Sequence, residues 1–275
     1  MNHLFCLGFS YTAQYVAARL DRKHWKISGT SRSAQGIGQM QGQGVTGHIF
    51  ETLAAIPSDV THVLCSIPPD AQGCPAAIGF GGAYKWIGYL STTGVYGNHD
   101  GGWVDENTPL TPNSERAQRR VVAEAQWAKF TAHIFRLPGI YGPGRSQLDS
   151  VKDGTARRII KPNQIFSRIH VDDIAGVLAA SMHKPNLGRI YNVADDEPCP
   201  PQDVVAYAAQ LLGVAPPPEM NFEDARLSPM ARSFYDDSKR VSNARMKLEL
   251  GVKLKYPSYR EGLRAIYKSN DLPCA

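Results

Sequence analysis

The sequence predicts an α/β protein: a doubly wound parallel sheet with a smaller C-terminal lobe laid over the sheet's ligand edge. Three observations predict it. Short apolar runs bounded by Gly, Ser and Pro alternate with helical patterns through residues 1–138. The first run ends in a turn of small residues that opens a helix, Gly8-Phe9-Ser10-Tyr11-Thr12-Ala13. The clearest strand–loop–helix unit, Trp86 to Trp127, sets hydroxyl side chains at a strand end.

Size and composition fit one large domain or two intimate lobes: 275 residues, 43% hydrophobic and 20% charged. No apolar run approaches the ~20 residues that span a bilayer, so no membrane partner is expected. The first residues lack the features of a signal peptide. Five cysteines (Cys6, Cys65, Cys74, Cys199, Cys274) are scattered without a C-x-x-C, which indicates neither a disulfide framework nor a zinc site. A cytoplasmic location follows as the expectation. The net charge is +5, and its densest basic cluster is Arg116, Arg119 and Arg120. Nucleic-acid recognition would need a broader basic stripe or a known module, so a small-molecule substrate is expected instead.

His3–Leu7 reads as the first buried strand, followed by a helix over Gln14–Leu20. The turn between them has the spacing G-x-G-x-x-G/A, with Ser10 in the second place and Ala13 in the third. A tight turn, small side chains beside a pyrophosphate and a helix N-terminus facing negative charge are what a dinucleotide requires. Gly8, Phe9, Ser10, Tyr11 and Thr12 are therefore candidate cofactor-binding residues, with Ser10 displacing the phosphates slightly. Lys26–Thr30 reads as the second strand and ends in Ser31-Arg32-Ser33. A carboxylate at this strand end would bind the ribose hydroxyls of NAD, whereas an arginine accommodates a 2′-phosphate. NADP(H) is expected over NAD(H).

Gly36–Gly47 reads as a loop with a short helical piece. Strands are expected at Thr46–Phe50 and Val60–Ser66, the latter stopped by Pro68-Pro69. Residues 70–85 leave room only for a truncated helix. Trp86–Leu90 is a fifth strand, and the helix after it is capped by Asn113 or Ser114. Ala117, Val121, Ala125 and Ala128 give that helix one buried face. Thr131–Leu137 makes a sixth strand. Beyond Gly144, a strand at Ile165–His170 leads into a helix to His183. Asp172 or Asp173 is expected to cap it, which accounts for His170-x-Asp172-Asp173 without a metal or a catalytic dyad. A strand at Arg189–Val193, a helix at Gln202–Leu212 closed by Gly213, a stiff Ala215–Pro218 connector and a basic, partly helical tail complete the chain. Residues 1–138 form the dinucleotide-binding part. Residues 139–275 return strands and helices to the sheet and form the substrate lobe.

Five segments together resemble a known superfamily. They are Gly8-x-Ser10-x-x-Ala13, Leu90 to Gly97 (LSTTGVYG), Arg136 to Gly144 (RLPGIYGPG), Ile169 to Ala175 (IHVDDIA) and Ile190 to Ala194 (IYNVA). The resemblance is to the extended short-chain dehydrogenase/reductases of the NAD(P)-dependent epimerase/dehydratase type, and in detail to their YeeZ-like branch. It implies a Rossmann-type fold and a hydroxyl residue after the fifth strand, which falls on Thr92. It also implies a Y-x-x-x-K motif on the next helix. Counted back from Glu124, the tyrosine and lysine places fall on Arg116 and Arg120, and the helix holds no tyrosine. Arginine stays protonated, so Arg116 is no general acid or base, but it can stabilise an oxyanion or grip a carboxylate or phosphate. Arg120 can supply the lysine's charge. The proton would then come from Tyr96, Tyr141 or a water held by Thr92. Cys65, Ser66, Ile67, Arg120 and Pro138 join the cofactor set by the same resemblance, and homodimerisation through the helices at 114–130 and 171–183 is a further implication. Two functions stay open. One is an oxidoreductase or epimerase acting on a small polar metabolite or sugar derivative. The other is a catalytically silent NADP(H)-binding sensor or interaction protein. Nucleotide-sugar binding without redox chemistry is a third reading, by analogy alone.

Overall fold

The computed structural model describes residues 1–51 and 56–270. Its first half runs β1 (Asn2–Leu7), α1 (Tyr11–Arg19), β2 (Trp25–Ser31), α2 (Ala34–Gly42), β3 (Thr46–Ile49), β4 (His62–Cys65) and β5 (Trp86–Thr92). Then come β6 (Trp103–Val104), α3 (Glu115–Ala128), β7 (His133–Leu137), β8 (Gly139–Tyr141), α4 (Gln147–Lys152), β9 (Arg158–Ile160) and β10 (Arg168–His170). The last part holds α5 (Val171–His183), β11 (Ile190–Asn192), α6 (Pro201–Leu212), β12 (Glu219–Asn221), α7 (Pro229–Ser233), β13 (Arg240–Val241), α8 (Ala244–Leu250) and α9 (Tyr259–Asn270).

Seven strands pair in parallel in the order β11-β7-β5-β4-β1-β2-β3. The chain winds outward from β1 in one direction and from β4 in the other. The crevice at the carboxyl ends of those two strands is the switch point where such sheets bind ligands. Register sets what meets there: Leu7 pairs with Cys65, so the turn after β1 faces the segment after β4.

Both faces of the sheet are covered, which is why its strands read as near-continuous apolar runs. Side chains alternate across β1: Leu4 and Cys6 enter one core with Val16, Trp86 and Leu178, while Phe5 and Leu7 enter the other with Val63, Tyr89 and Trp127. A third core, around Tyr141, Leu148, Val204, Tyr259 and Leu263, joins α4, α6 and α9 in the smaller lobe. That lobe also contains the short parallel pairs β8–β10 and β9–β12, and β13 returns to β6.

Several elements differ from the sequence expectation. α1 begins at Tyr11 because Ser10 caps it, and Ser33 likewise caps a full nine-residue α2 where the sequence suggests a loop with only a short helical piece. Residues 70–85 hold a single 3-10 turn, Pro75–Ala77. The strand expected at Ile165–His170 shortens to Arg168–His170. Neither aspartate caps α5: the His170 ring accepts from the Asp172 amide. The aspartates instead anchor the C-terminal segment. Asp173 accepts the amides of Lys255 and Tyr256, and Asp172 pairs with Lys255 and Arg19.

The largest correction concerns α3. Ala117 is buried as expected, but Ala125 and Ala128 are exposed, and Glu124 and Trp127 lie inside. Trp127 stacks on Tyr89 of β5 at 5.8 Å. Glu124 meets Arg136 of β7 in a two-pronged ion pair, Arg136 Nη2 to Oε2 at 2.7 Å and Nε to Oε1 at 3.1 Å. Both side chains are at most 6% exposed. Truncating one partner leaves the other charge buried and uncompensated. Glu124→Ala is therefore expected to lower the unfolding free energy by ~3–5 kcal/mol in a urea titration, and a loss under ~1 kcal/mol would mean that the pair is not what holds α3 to the sheet.

Candidate active site

The turn after β1 is built around Gly8, whose φ of 82° is a left-handed conformation that suits glycine. A Cβ there would lie 3.1 Å from both Ile67 Cγ1 and Ser66 Oγ. Its amide donates to Thr30 Oγ1 at 2.9 Å, and its carbonyl accepts from Ser66 Oγ at 2.6 Å. Three strand ends thus lock one tight turn. Ser10 stands where the pattern has its second glycine, and its hydroxyl accepts from the Ala13 amide at 3.3 Å. The serine serves as the helix cap, while the Tyr11 and Thr12 amides of the first turn lack intrahelical acceptors and carry the positive end of the helix dipole. The Thr12 side chain is buried, so the amide is what it can offer. Phe9 packs toward Gly29. Tyr11 reaches across to the lobe, donating to the Pro143 carbonyl at 3.0 Å. Pro138 is half-buried just beyond β7.

At the end of β2, Ser33 caps α2 and Ser31 Oγ accepts from the Ser33 amide. Gly36 presses so closely on Ser31 that a Cβ would sit 2.1 Å from its hydroxyl oxygen. A cleft of about 280 Å³ opens here, lined by Phe9, Ser31, Ser33 and Gly36 together with glutamines, and no carboxylate lines it. Arg32 is exposed, with no ion-pair or hydrogen-bond partner among the described residues. The residues fit a nicotinamide dinucleotide: a glycine turn that a side chain would fill, and open amides at the helix N-terminus that follows it.

Thr92 ends β5 half-buried, and its hydroxyl oxygen accepts from the Gly94 amide at 3.1 Å. The hydroxyl proton remains free to donate. Gly94 lies against Ala117, so the first turns of α3 flank this strand end. Arg116 is exposed there, its guanidinium 4.7 Å above the Phe234 ring. Arg120 turns inward, donating from one nitrogen to Leu90 O at 2.7 Å and Tyr89 Oη at 3.0 Å.

The two tyrosines read as proton donors lie elsewhere than expected. Tyr96 is fully buried, and its hydroxyl accepts from Arg136 at 2.9 Å and donates to Asn192 at 2.8 Å. Tyr141 is buried too and donates to the Ser258 carbonyl. Burial pushes both phenols above the ordinary range. In the sequence both stand in loops at strand ends. The Gly97 and Gly142 turns instead fold both rings inward.

Sequence reasoning missed the polar network beneath the site. Arg136 joins Glu124, Tyr96 and, through Tyr96, Asn192, and Ser91 donates to Glu124 at 2.6 Å. Its signal was a lone arginine inside an apolar strand, Ile134-Phe135-Arg136-Leu137. Asp195 was also missed. It is 2% exposed, accepts from the Glu197 amide with one oxygen and leaves the other unpartnered. Burial pushes its carboxyl up to about 8, against the opposing pull of Arg168. Among the described residues no cluster of three or more His, Cys, Asp or Glu could hold a metal, and no helix is long and apolar enough to cross a membrane.

No protein-family profile matches the chain. A functionally unknown conserved protein from Silicibacter pomeroyi DSS is 49% identical, with 98% of this chain and 99% of that one covered at a TM-score of 0.94. Protein YeeZ of Escherichia coli K12 is 24% identical over 94% of this chain and 97% of its own. A human epimerase family protein, solved with NADPH, is 14% identical and superposes over 98% of this chain and 99% of its own, at a TM-score of 0.78. The fold is that of the NAD(P)-dependent epimerase/dehydratases. The chain belongs to one family with the Silicibacter pomeroyi protein, and it is similar to Protein YeeZ along nearly its whole length.

Two predictions follow from this geometry. Gly8→Ala is expected to destabilise the fold by ~1–3 kcal/mol through its positive φ and the crowding by Ile67, measured as a fall in the urea midpoint. Asp195 has a folded pKa raised above its unfolded value, so the stability it contributes is present below the unfolded pKa and is lost as pH rises toward about 8. Asp195→Asn should flatten the decline in melting temperature between about pH 6 and about pH 8, where the wild type loses up to ~2 kcal/mol. Parallel pH profiles for the two proteins would refute this.

Proposed function

We propose that this chain is a cytoplasmic NADP(H)-dependent oxidoreductase or epimerase acting on a small polar metabolite or sugar derivative. One observation carries the reading: a glycine turn with open helix amides beside an acid-free strand end that presents the unpartnered Arg32. Tyr11 and Thr12 amides would take the pyrophosphate, and Arg32 with Ser31 and Ser33 would take the 2′-phosphate. Ser66, Ile67 and Pro138 would wall the nicotinamide end of the site. Cys65 supports that wall from beneath. When bound, the cofactor supplies the hydride donor or acceptor.

The chain's own residues would then handle the substrate oxygen. Thr92, its lone pair engaged by the Gly94 amide, donates its proton in a hydrogen bond to that oxygen. Arg116 holds a negatively charged group of the substrate, and Arg120 keeps positive charge under the strand end where an oxyanion would develop. A solvent water bound by Thr92 delivers the proton that the missing tyrosine would give.

A second reading, a silent NADP(H)-binding sensor, draws on a specific observation. α3 has no tyrosine, and the nearby Tyr96 hydroxyl is already committed to Arg136 and Asn192. Titration calorimetry with the four nicotinamide dinucleotides tests the cofactor assignment common to both. Micromolar binding of NADP⁺ and NADPH, with NAD⁺ and NADH much weaker, is expected, and Arg32→Ala should weaken NADPH binding ~10–100-fold while leaving NADH nearly unchanged. Equal losses would remove Arg32 from phosphate recognition. In a panel of carbonyl substrates with NADPH, Thr92→Val should slow turnover about a hundredfold. Tight NADPH binding with no turnover of any substrate would favour the sensor.

A further inference from the structure

Behind the proposed nicotinamide wall lie two cysteines that no catalytic role accounts for. Cys65 ends β4, and Cys74 opens the 3-10 turn at Pro75, nine residues later. Both are fully buried, and their sulfurs are 3.7 Å apart. A disulfide needs ~2.05 Å, a gap that side-chain rotation can close when the Cβ atoms are already near. Cys65 is fixed in a central strand, paired with Leu7 and Tyr89. Cys74 sits on an irregular segment tethered chiefly by Gln126, which accepts its amide at 2.7 Å and donates to Gln72 O at 2.9 Å.

The two thiols are unequal. Cys65 holds the Cys74 thiol down at about 6, with smaller help from the Trp127 indole and the Ala76 and Ala77 amides. Burial drives Cys65 the other way. The Trp127 N–H is fully buried and has no hydrogen-bond acceptor among the described residues, so its dipole is free to favour a nearby thiolate. One nucleophile and one resolving thiol are thus side by side.

We propose that Cys65 and Cys74 are a peroxide-sensitive dithiol whose oxidation to a disulfide reshapes the wall of the nucleotide turn. The Cys74 thiolate attacks one oxygen of hydrogen peroxide, the O–O bond breaks, and hydroxide leaves as the sulfenic acid forms. The Cys65 sulfur then attacks the Cys74 sulfur, the S–O bond breaks, and the departing hydroxide takes the Cys65 proton. Two thiols and one peroxide give one disulfide and two waters. The bond closes the 66–73 loop and removes the Cys74 thiol from the Ile67 carbonyl, 3.8 Å away. Ser66 and Ile67 of that loop are the residues packed on Gly8. The effect on nucleotide binding rests on the function proposed above, whereas formation of the disulfide does not.

Asp70 lies between the two cysteines, so cleavage before aspartate separates fragment 59–69 from fragment 70–99. After treatment of the full-length protein with a few equivalents of peroxide and alkylation, mass spectrometry should find these fragments joined, two hydrogens lighter than their sum. Separate alkylated fragments, or Cys74 carrying oxygens without a cross-link, would overturn the proposal. In Cys65→Ser, whose hydroxyl keeps a hydrogen-bond donor beside Cys74 but cannot form a disulfide, the chemistry should stop at the Cys74 sulfenic acid, trapped by a cyclic dione. No adduct in that variant would overturn the order of steps. NADPH should bind about tenfold more weakly to the oxidised wild type, and a thiol reductant should restore it. Equal affinity in both states would overturn the link to the turn. Absence of NADPH binding in both states, with the fragments joined, would overturn the cofactor assignment and leave the dithiol standing.

Discussion

The buried pair between Glu124 and Arg136 holds together the parts on which the site depends. Arg136 sits in β7, Glu124 in α3, Ser91 in β5, Tyr96 in the turn after β5, and Asn192 in β11. One network centred on this guanidinium, reaching Ser91 through Glu124 and Asn192 through Tyr96, therefore links three adjacent strands and the helix covering them. Two charges removed from water gain little net stability, and their value lies in geometry, because the paired arrangement is the one that leaves no charge stranded. It sets the rotation of α3, and that rotation points Arg120 under Leu90 and leaves Arg116 at the open end. The same contacts remove Tyr96 from the solvent and make it part of the scaffold.

Much of the fold was readable from residue order. The parallel strands announce themselves as apolar runs with turn residues at both ends, and Gly8 as the hinge of the first turn. α3 was misread because alanine was taken as the mark of the buried face. In this helix the buried positions include a carboxylate, whose partner is distant in sequence, and a tryptophan matched to Tyr89. A pairing of that kind has no local periodicity to betray it. The caps of α2 and α5 were missed for a related reason. Ser33 precedes a run rich in Gly and Gln that shows no apolar periodicity, and His170 is an uncommon cap beside two aspartates that are better ones on average.

The site was legible as positions more than as contacts. Thr92, Arg116 and Arg120 gather at one strand end, and the residues from Gly8 to Thr12 surround one turn. What the sequence could not convey was which groups were already occupied. Ser10 satisfies its own helix, Tyr141 a carbonyl of the lobe, and Arg120 two oxygens beneath the strand. Arg32 stands apart because its charge meets no partner among the described residues. The cysteines illustrate the converse. Nine residues of separation without a C-x-x-C carried no signal, yet the 3-10 turn folds one sulfur back against the other.

The outermost strand, β11, follows the sheet's other strands by more than fifty residues and supplies Asn192, the acceptor for Tyr96. A ribosome making this chain releases β1 through β7 well before that edge exists. During this interval the flank of β7 stays unpaired, and the Tyr96 hydroxyl lacks its acceptor. An open strand edge on a nascent chain is a template for the wrong partner. The late return of β11 makes the nascent chain's exposure to aggregation a matter of translation speed between about residue 138 and residue 192, and synonymous codon choice in that stretch becomes a physical property of the protein's folding.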